Sequence, residues 1–335
     1  MRINEIDFAS CFNLNNLMAA SRQCERGVRW KKQPQQFSNK RLTSCAKLLE
    51  EIEGGSYAPQ GVKPFTICER GKTRHVKPVT FRDRVAQRCF CNHVLVPAVE
   101  GYVTDECSAV LPGRGLSYAF EHVREMAASA PCDAWVARFD FSDYFATIDH
   151  AVLLNMLRRL IPDDRLYSFA RTVVDSEGPG LDLGSHVSQL CATMYPTPID
   201  RAVMDLEGTI GYHRYMDDGI MVCASRKDAE AALDAAVSMA TRMRLTINPR
   251  KTFINRVTHP FVFCKMRFTK RPDGSVRCNV RKQQSRRAVK HAKSVVRLAK
   301  STGCIDLEPV AASLSGYLNH GDADLTWLAE KAMRQ

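Results

Sequence analysis

The chain has 335 residues, with 48 Lys and Arg against 36 Asp and Glu, which gives a formal net charge of +12. Its 45% content of hydrophobic residues excludes a disordered chain. The sequence has no uncharged apolar run long enough for a membrane-spanning helix. The first residues include acids and amides where a secretory signal would be apolar. We therefore expect a soluble, intracellular protein that does not interact with a membrane.

The cysteines do not have the spacing of a zinc or disulfide site. There are 13 of them, an odd number, and no C-x-x-C occurs. The closest pair is Cys89 and Cys91, whereas zinc sites usually contain pairs spaced C-x2–4-C. We predict mostly reduced, buried cysteines and no metal site built on Cys or His.

The positive charge is concentrated in three stretches. Residues 265–300 contain 13 Lys and Arg and a single acid, Asp273. Further basic stretches lie at 69–88 and 22–47. One charged run is usually a solvated surface, but three in one chain favour binding to a polyanion, most simply a nucleic acid.

The hydrophobic periodicity predicts helices and strands in mixed order. In chain order the predicted helices are 42–52, 81–99, 149–160, 187–206, 227–243 and 281–299, and the predicted strands include 64–68 and 135–141. The 187–206 helix is expected to be perturbed near Pro196 and Pro198. One hairpin is predicted around 216–219, and another joins 261–268 to 276–280 through 271–274. This mixed order predicts an α+β fold.

Three carboxylates interrupt apolar strands. Asp140 lies between two phenylalanines in WVARFDF, and Asp217 and Asp218 lie together at the tip of a predicted hairpin. Adjacent carboxylates repel each other, and a cation between them relieves the repulsion. If the strand with Asp140 is a neighbour of the hairpin, the three side chains form an oxygen-rich site suited to Mg²⁺. Two such ions would bind the attacking and leaving oxygens of a phosphoryl transfer.

Seven sequence blocks occur in a fixed order over roughly residues 65–270. They are CERGKTRHVKPVTFRDRVAQR, AVLPGRGLSYAFEHV, ARFDFSDYFATIDH, GLDLGSHVSQLCATMY, YMDD, MRLTINPRKT and FVFCKMRF. In this order they resemble two fingers motifs, motif A, motif B, motif C, motif D and the primer-grip hairpin of reverse transcriptases. YMDD alone would be weak evidence, but the ordered set is specific for a polymerase.

The resemblance implies an α+β right-hand polymerase with fingers, a palm of antiparallel sheet plus helices, and a small helical thumb. It implies an N-terminal helical extension at 1–62 and fingers at 63–135. The palm, with part of the fingers, would follow at 136–262. The primer grip and a basic helical thumb would lie at 263–335.

The resemblance also implies which residues perform catalysis and bind metal. The catalytic residues would be Asp140, Asp217, Asp218 and Lys251. Asp140 and Asp217 would be direct ligands of two Mg²⁺ ions, with Mn²⁺ as an alternative cofactor. Asp218 would complete the acidic patch as part of the metal site, and the backbone carbonyl of Phe141 would help bind one ion. Lys251 would protonate the pyrophosphate leaving group as a general acid.

Other positions would bind the nucleotide or the nucleic acid. The nucleotide-binding positions are Lys72, Arg74, Phe145, Gly184 and Gln189. The nucleic-acid-binding positions are Arg114, Lys265, Arg281, Lys282, Arg286, Arg287 and Lys290. The ring of Phe145 would lie under the sugar and clash with a 2′-OH, which favours deoxynucleotides. The alternatives are an ordinary core aromatic for Phe145, surface charge for Lys72, Arg74 and Arg114, and a solvated loop lysine for Lys251.

Motif B departs from the P-Q-G-x-x-x-S-P form that is common in the family. Leu183 replaces the usual Gln, and Gln189 replaces the usual Pro. This form resembles the reverse transcriptases of diversity-generating retroelements, in which an apolar residue accompanies misincorporation opposite template adenine. The primer grip, however, has Phe263-Cys264-Lys265-Met266 where that group usually has F-L-G-Y.

We therefore expect an RNA-directed DNA polymerase that makes cDNA from a cognate noncoding RNA. It would act in the cytoplasm of a bacterium, encoded by the bacterium or a prophage, either in a diversity-generating retroelement or in an antiphage defence system. Its partners would be the noncoding RNA template, the RNA–DNA duplex, dNTPs, and a small accessory protein or a second copy. The alternatives are an RNA-templated RNA polymerase and a non-catalytic RNA-binding scaffold of the same fold.

Overall fold

The computed structural model describes residues 7–61, 64–69, 72–303, 306–319, 321–323 and 325–333. The chain divides into two units, each built from separated stretches of sequence. The first unit contains Met1–Gly115, Phe141–Ala202 and Ala235–Asn248, and the second contains Leu116–Asp140, Val203–Asp234 and Pro249–Gln335. The boundary between Asp140 and Phe141 cuts through the segment that resembles motif A.

Helices make up most of the described chain. They are α1 Phe8–Cys11, α2 Leu14–Cys24, α3 Lys32–Asn39, α4 Arg41–Glu53, α5 Phe81–Phe90, α6 Val96–Tyr102, α7 Leu116–Ser129, α8 Tyr144–Thr147, α9 His150–Leu160, α10 Asp164–Asp175, α11 His186–Met194, α12 Thr197–Met204, α13 Arg226–Arg242, α14 Lys282–Thr302, α15 Glu308–Leu318 and α16 Thr326–Met333. A π-helical turn, Cys91–Leu95, joins α5 to α6.

The strands form three antiparallel sheets. They are β1 Phe65–Glu69, β2 Lys72–Val76, β3 Trp135–Asp140, β4 Thr209–Tyr215, β5 Asp218–Cys223, β6 Phe253–Arg256, β7 Phe261–Phe263, β8 Met266–Lys270 and β9 Val276–Val280. The sheet orders are β1-β2, β4-β5-β3-β6 and β7-β8-β9. The predicted α+β class is therefore confirmed.

Aromatic side chains fill part of the core of the first unit. The ring of Phe12 lies 4.8 Å from that of Phe169 in α10, and the ring of Phe90 lies 5.1 Å from the same side chain. Asp163 caps the N-terminus of α10 by accepting hydrogen bonds from two backbone N–H groups. The capped helix thus presents Phe169 to the helices that precede it in the chain.

In the second unit, the four-stranded sheet packs against α7. Val136, Ile220 and Val222 of the sheet lie in one buried cluster with Ala119 and Val123 of α7. Gly211 of β4 has no space for a side chain, because a Cβ there would lie 2.4 Å from Met126 of α7. The three-stranded sheet extends the same cluster, with apolar side chains on alternating positions that include Phe261, Phe263, Met266, Phe268, Val276 and Cys278.

The C-terminal helices of the second unit share a small core of their own. Ala292 of α14 packs with Leu314 and Leu318 of α15 and with Ala329 and Ala332 of α16. The opposite face of α14 is exposed and basic. Asp322 follows α15 and accepts hydrogen bonds from the backbone N–H of Cys278 and from Arg124.

The structure corrects two of the predicted elements. The helix predicted at 81–99 is interrupted by the π-helical turn at Cys91–Leu95. The predicted 261–268 strand is two strands joined by a two-residue turn at Cys264 and Lys265, so the hairpin becomes a three-stranded sheet. The perturbation expected near the two prolines is confirmed, since α11 ends at Met194 and α12 begins at Thr197.

The sequence predicts neither disulfides nor a membrane-spanning helix, and the described residues can be compared with both predictions. The 12 cysteines among them are free thiols, and most are buried. Cys304 lies outside the described residues. Within the described ranges, none of the helices combines the length and the apolar character needed to cross a membrane.

Candidate active site

The predicted catalytic carboxylates meet at one end of the four-stranded sheet, within the second unit. Asp140 is the last residue of β3, and the antiparallel register places it opposite Asp218, the first residue of β5. Asp217 lies in the turn that joins β4 to β5. Asp217 and Asp218, which are adjacent in the chain, thus lie at the same edge as Asp140, which is 77 positions before Asp217.

The turn that contains Asp217 has an unusual backbone. Tyr215 pairs with Asp218, which leaves Met216 and Asp217 as the two turn residues, and Met216 has a φ of 53°. A positive φ costs energy for a residue with a side chain. Arg214, fully buried in β4, donates a hydrogen bond of 2.9 Å to the carbonyl of Met216. This contact stabilises the turn, and none of the sequence motifs predicts it.

The packing beneath the carboxylates requires a glycine. Phe139 points to the opposite face of β3 from Asp140 and is fully buried. A Cβ on Gly219, which follows Asp218, would lie 2.4 Å from the ring of Phe139. The pair of Phe139 and Gly219 therefore allows β3 and β5 to align the two carboxylates.

Two basic side chains compensate the negative charge. The Nζ of Lys251 lies 2.5 Å from Oδ1 of Asp140. The guanidinium of Arg138 binds both oxygens of Asp218, with Nε at 2.6 Å from Oδ1 and a terminal nitrogen at 2.9 Å from Oδ2. Sequence reasoning identified Lys251 but missed Arg138. The sequence signal for Arg138 was a charged residue inside an apolar strand. It lies two positions before Asp140 and therefore on the same face of the strand.

The electrostatics of Asp217 and Asp218 differ. Burial raises the pKa of Asp217, and the nearby charge of Asp140 raises it further. Burial also raises the pKa of Asp218, to about 6, although hydrogen bonds from Arg138 and from the backbone N–H of Cys264 lower it. Asp217 forms no ion pair with any residue that the structure describes, whereas Asp218 is paired with Arg138.

The donor set fits a hard divalent cation. Asp140 and Asp217 offer carboxylate oxygens, and Mg²⁺ is usually bound in proteins by one or two carboxylates together with substrate phosphates. Across the described ranges, no group of three or more His, Cys, Asp or Glu side chains forms a ready metal-binding cluster. Two carboxylates such as Asp140 and Asp217 fit an ion that also takes ligands from its substrate.

The predicted nucleotide-binding residues lie in the first unit. Phe145 is a half-buried residue of α8, and its carbonyl accepts a hydrogen bond of 2.7 Å from the N–H of Leu181 in motif B. Gly180 packs directly on this segment, because a Cβ there would lie 2.5 Å from the backbone of Phe145 and Ala146. The structure therefore joins Phe145 to the loop of motif B.

Motif B is anchored by a buried acid that sequence reasoning also missed. Glu177 accepts hydrogen bonds from the Ser188 hydroxyl at 2.5 Å and from the N–H of Asp182 at 2.9 Å. Gly184 lies so close to the carbonyl of Lys77 that a Cβ would be 2.8 Å from it. The sequence signal for Glu177 was an acid shortly before the glycine-rich loop. An acid at such a position is usually part of a solvated turn, so the signal was weak.

The remaining predicted residues are placed as follows. Gln189 is half-buried on α11, and Lys72 and Arg74 lie in β2, paired in register with Glu69 and Ile67. The guanidinium of Arg114 contacts Thr104, Cys107 and Asp105 of its own loop. Lys265 is exposed in the turn between β7 and β8, and Arg281 is the N-cap residue of α14. Their roles in binding nucleic acid or nucleotide stay predictions.

Four basic residues of α14 form one surface in the second unit. Lys282, Arg286, Arg287 and Lys290 are all exposed and line a shallow hollow together with Gln283. Positions separated by three or four residues lie on one face of a helix, so their charges add along that face. Such a row of cations suits a sugar–phosphate backbone.

Comparison with known families agrees with the site. Residues 64–286 match the model of the family described as reverse transcriptase (RNA-dependent DNA polymerase), which is about two thirds of the chain. No curated protein is significantly similar in sequence to this chain. Members of this family generally use divalent metal ions and act on a nucleic-acid template with dNTPs. The chain belongs to the reverse transcriptase family and is an RNA-directed DNA polymerase.

Proposed function

We propose that the four-stranded sheet of the second unit is the catalytic sheet of the palm and that its carboxylates perform two-metal nucleotidyl transfer. The observation that supports this most directly is the register of β3 and β5, which places Asp140 opposite Asp218 with Asp217 in the adjoining turn. Asp140 and Asp217, with the carbonyl of Phe141, would bind two Mg²⁺ ions, and Asp218 would complete the acidic site. When bound, these ions supply Lewis-acid stabilisation of the attacking and leaving oxygens.

The other residues assist the same reaction. The Nζ of Lys251 lies within hydrogen-bonding distance of Asp140 and donates a proton to the departing pyrophosphate. The ring of Phe145 excludes a ribose 2′-OH, and its position is supported by the hydrogen bond from Leu181. The basic face of α14 binds the backbone of the template–primer duplex and acts as the thumb. Lys72 and Arg74 of β2, in the fingers, bind the triphosphate.

The template proposed for this enzyme is a cognate noncoding RNA, and the proposed setting is a diversity-generating retroelement. The support is motif B, where Leu183 stands in place of an amide and is 38% exposed. An exposed apolar side chain at this position removes a polar contact to the nucleotide, so base selection depends more on pairing alone. An antiphage defence system is the second setting, and the product of the reaction distinguishes the two.

Primer extension with matched variants tests the activity. The wild-type protein should extend a DNA primer on an RNA template with dNTPs and Mg²⁺. Asp140→Asn and Asp217→Asn should each abolish extension, because both keep the shape of the side chain and remove its charge. Asp205→Asn is the control, since this exposed-loop acid lies after α12 and away from the three carboxylates. Full activity in Asp217→Asn would contradict the proposed chemistry.

The same samples address the alternatives. An RNA-templated RNA polymerase would prefer rNTPs over dNTPs, and a scaffold would bind RNA without extending a primer. We expect Asp217→Asn to keep RNA binding while it loses extension. The protein expressed with its native flanking locus, followed by sequencing of bound RNA and cDNA, tests the setting. Substitutions concentrated at template adenines indicate diversification, and faithful or repetitive cDNA indicates defence.

A further inference from the structure

Asp218 differs from the other two carboxylates because protein groups already occupy both of its oxygens. Arg138 binds them through two nitrogens, at 2.6 and 2.9 Å, and the pair is largely buried, with 17% and 11% of the two side chains exposed. A bidentate contact between guanidinium and carboxylate fixes orientation as well as charge. The direction in which Asp218 points is therefore determined by Arg138.

The same carboxylate contacts the hairpin that resembles a primer grip. The backbone N–H of Cys264 donates a hydrogen bond of 3.0 Å to Oδ2 of Asp218. Cys264 and Lys265 form the two-residue turn between Phe263 and Met266, and their φ angles are 45° and 71°. Two consecutive positive φ angles are typical of a type I′ turn, which usually contains glycine or asparagine.

This turn has no glycine to relieve its backbone strain. Residues with a side chain populate positive φ only at an energetic cost, and such a conformation persists where surrounding contacts hold it. Among the described residues, the hydrogen bond to Asp218 is the contact that restrains the N–H at the start of the turn. Besides the pairing of Phe263 with Met266, the turn is thus held by a carboxylate that Arg138 orients.

We infer that Arg138 is a positioning residue that, through Asp218, holds the Cys264–Lys265 turn beside the catalytic aspartates. The inference rests on the proposed function, in which this hairpin contacts the 3′ end of the primer. Arg138 itself would contact neither the primer nor the nucleotide. In this arrangement Asp218 links the catalytic sheet to the primer-binding hairpin, and the ligands of the metal ions are Asp140 and Asp217.

Amide hydrogen exchange tests the structural half of the inference without any polymerase activity. In Arg138→Gln, the peptide spanning residues 261–268 should exchange at least tenfold faster than in the wild type, because the N–H of Cys264 loses an oriented acceptor. Arg256→Gln is the matched control, since it removes one positive charge from β6, where Arg256 pairs with Trp135 at the far end of β3. Arg256→Gln should leave the exchange rate of the 261–268 peptide unchanged.

Steady-state kinetics tests the functional half. Arg138→Gln should raise the KM for the primer–template about tenfold and change the KM for dNTP by less than twofold. Arg138→Lys keeps the charge but not the two-nitrogen contact. It should therefore fold like the wild type and recover only part of the primer affinity that Arg138→Gln loses. It also serves as the second variant if Arg138→Gln does not fold.

Several results would overturn the inference. Unchanged exchange of the 261–268 peptide in Arg138→Gln would do so, as would equal acceleration in Arg256→Gln. Complete rescue by Arg138→Lys would reduce the role of Arg138 to charge balance. Failure of the wild-type protein to extend a primer would count against the proposed function, while the exchange experiment would still report on the contact.

Discussion

The ammonium group of Lys251 lies 2.5 Å from Oδ1 of Asp140, although the two residues are 111 positions apart. Lys251 is 41% exposed, whereas Asp140 is nearly buried. The ammonium of Lys251 can therefore move its hydrogen bond from the carboxylate of Asp140 to a group of the substrate. An exposed ammonium beside Asp140 is the arrangement that the proposed proton donation to the leaving group requires.

Replacement of Lys251 tests this role. Lys251→Ala should lower the single-turnover rate of dNTP incorporation by about 10²-fold or more, because a general acid contributes roughly that factor. The affinity for the primer–template should change little. Arg250→Ala, which removes the adjacent positive charge, is the control. A Lys251→Ala rate within threefold of the wild-type rate would leave Lys251 as a solvated loop lysine.

Phe145 should determine the choice between ribose and deoxyribose. Phe145→Ala removes the ring and should raise the efficiency of rNTP relative to dNTP incorporation by about tenfold or more. Phe145→Tyr keeps the ring and should preserve the selectivity. Single-nucleotide incorporation with each substrate measures the ratio. An unchanged ratio in Phe145→Ala would identify the side chain as an ordinary packing residue.

The basic face of α14 should determine how strongly binding depends on salt. The slope of log K against log salt is negative, and each phosphate contact that is lost reduces its magnitude by about 0.7 to 0.9. Arg286→Gln combined with Arg287→Gln should therefore reduce the slope by about 1.5, as measured by fluorescence anisotropy with an RNA–DNA duplex. Lys227→Gln combined with Arg242→Gln removes the same charge from exposed positions of α13. If both double variants change the slope equally, α14 is not a specific duplex-binding surface.

Glu177 should make stability depend on pH. Burial raises its pKa to about 7, against the hydrogen bonds from Ser188 and Asp182 that lower it. Between pH 4.5 and 7 the unfolded chain has lost this proton and the folded chain retains it, so stability falls as the pH rises through this window. The loss approaches about 3 kcal/mol above pH 7.

Urea unfolding at pH 5 and pH 8 measures this contribution. Glu177→Gln keeps the shape of the side chain and cannot ionise, so its stability should fall less between the two pH values than that of the wild type. Asp175→Asn, an exposed acid at the end of α10, should retain the wild-type dependence. Equal pH dependence in the wild type and in Glu177→Gln would show that Glu177 ionises normally.

The sequence by itself determined the class of fold and the family, and it indicated the candidate acidic set. Hydrophobic periodicity and each single motif depend on residues that are close in the chain, and the order of the motifs depends on the sequence alone, so neither requires the fold. Helices such as α4 and α9 and the strands on either side of Met216 and Asp217 follow from these local patterns. Asp140, Asp217 and Asp218 were recognisable because each interrupts an apolar strand.

Only the tertiary structure decided which groups each carboxylate contacts. Arg138 and Asp218 are 80 positions apart, and Cys264 and Asp218 are 46 positions apart. Their contacts depend on the register of β3 against β5 and on the turn after β7, since a shift of one residue would turn each side chain to the opposite face. The role of Glu177 could not be predicted for the same reason. Its burial against Ser188 results from tertiary packing, which no local sequence pattern indicates.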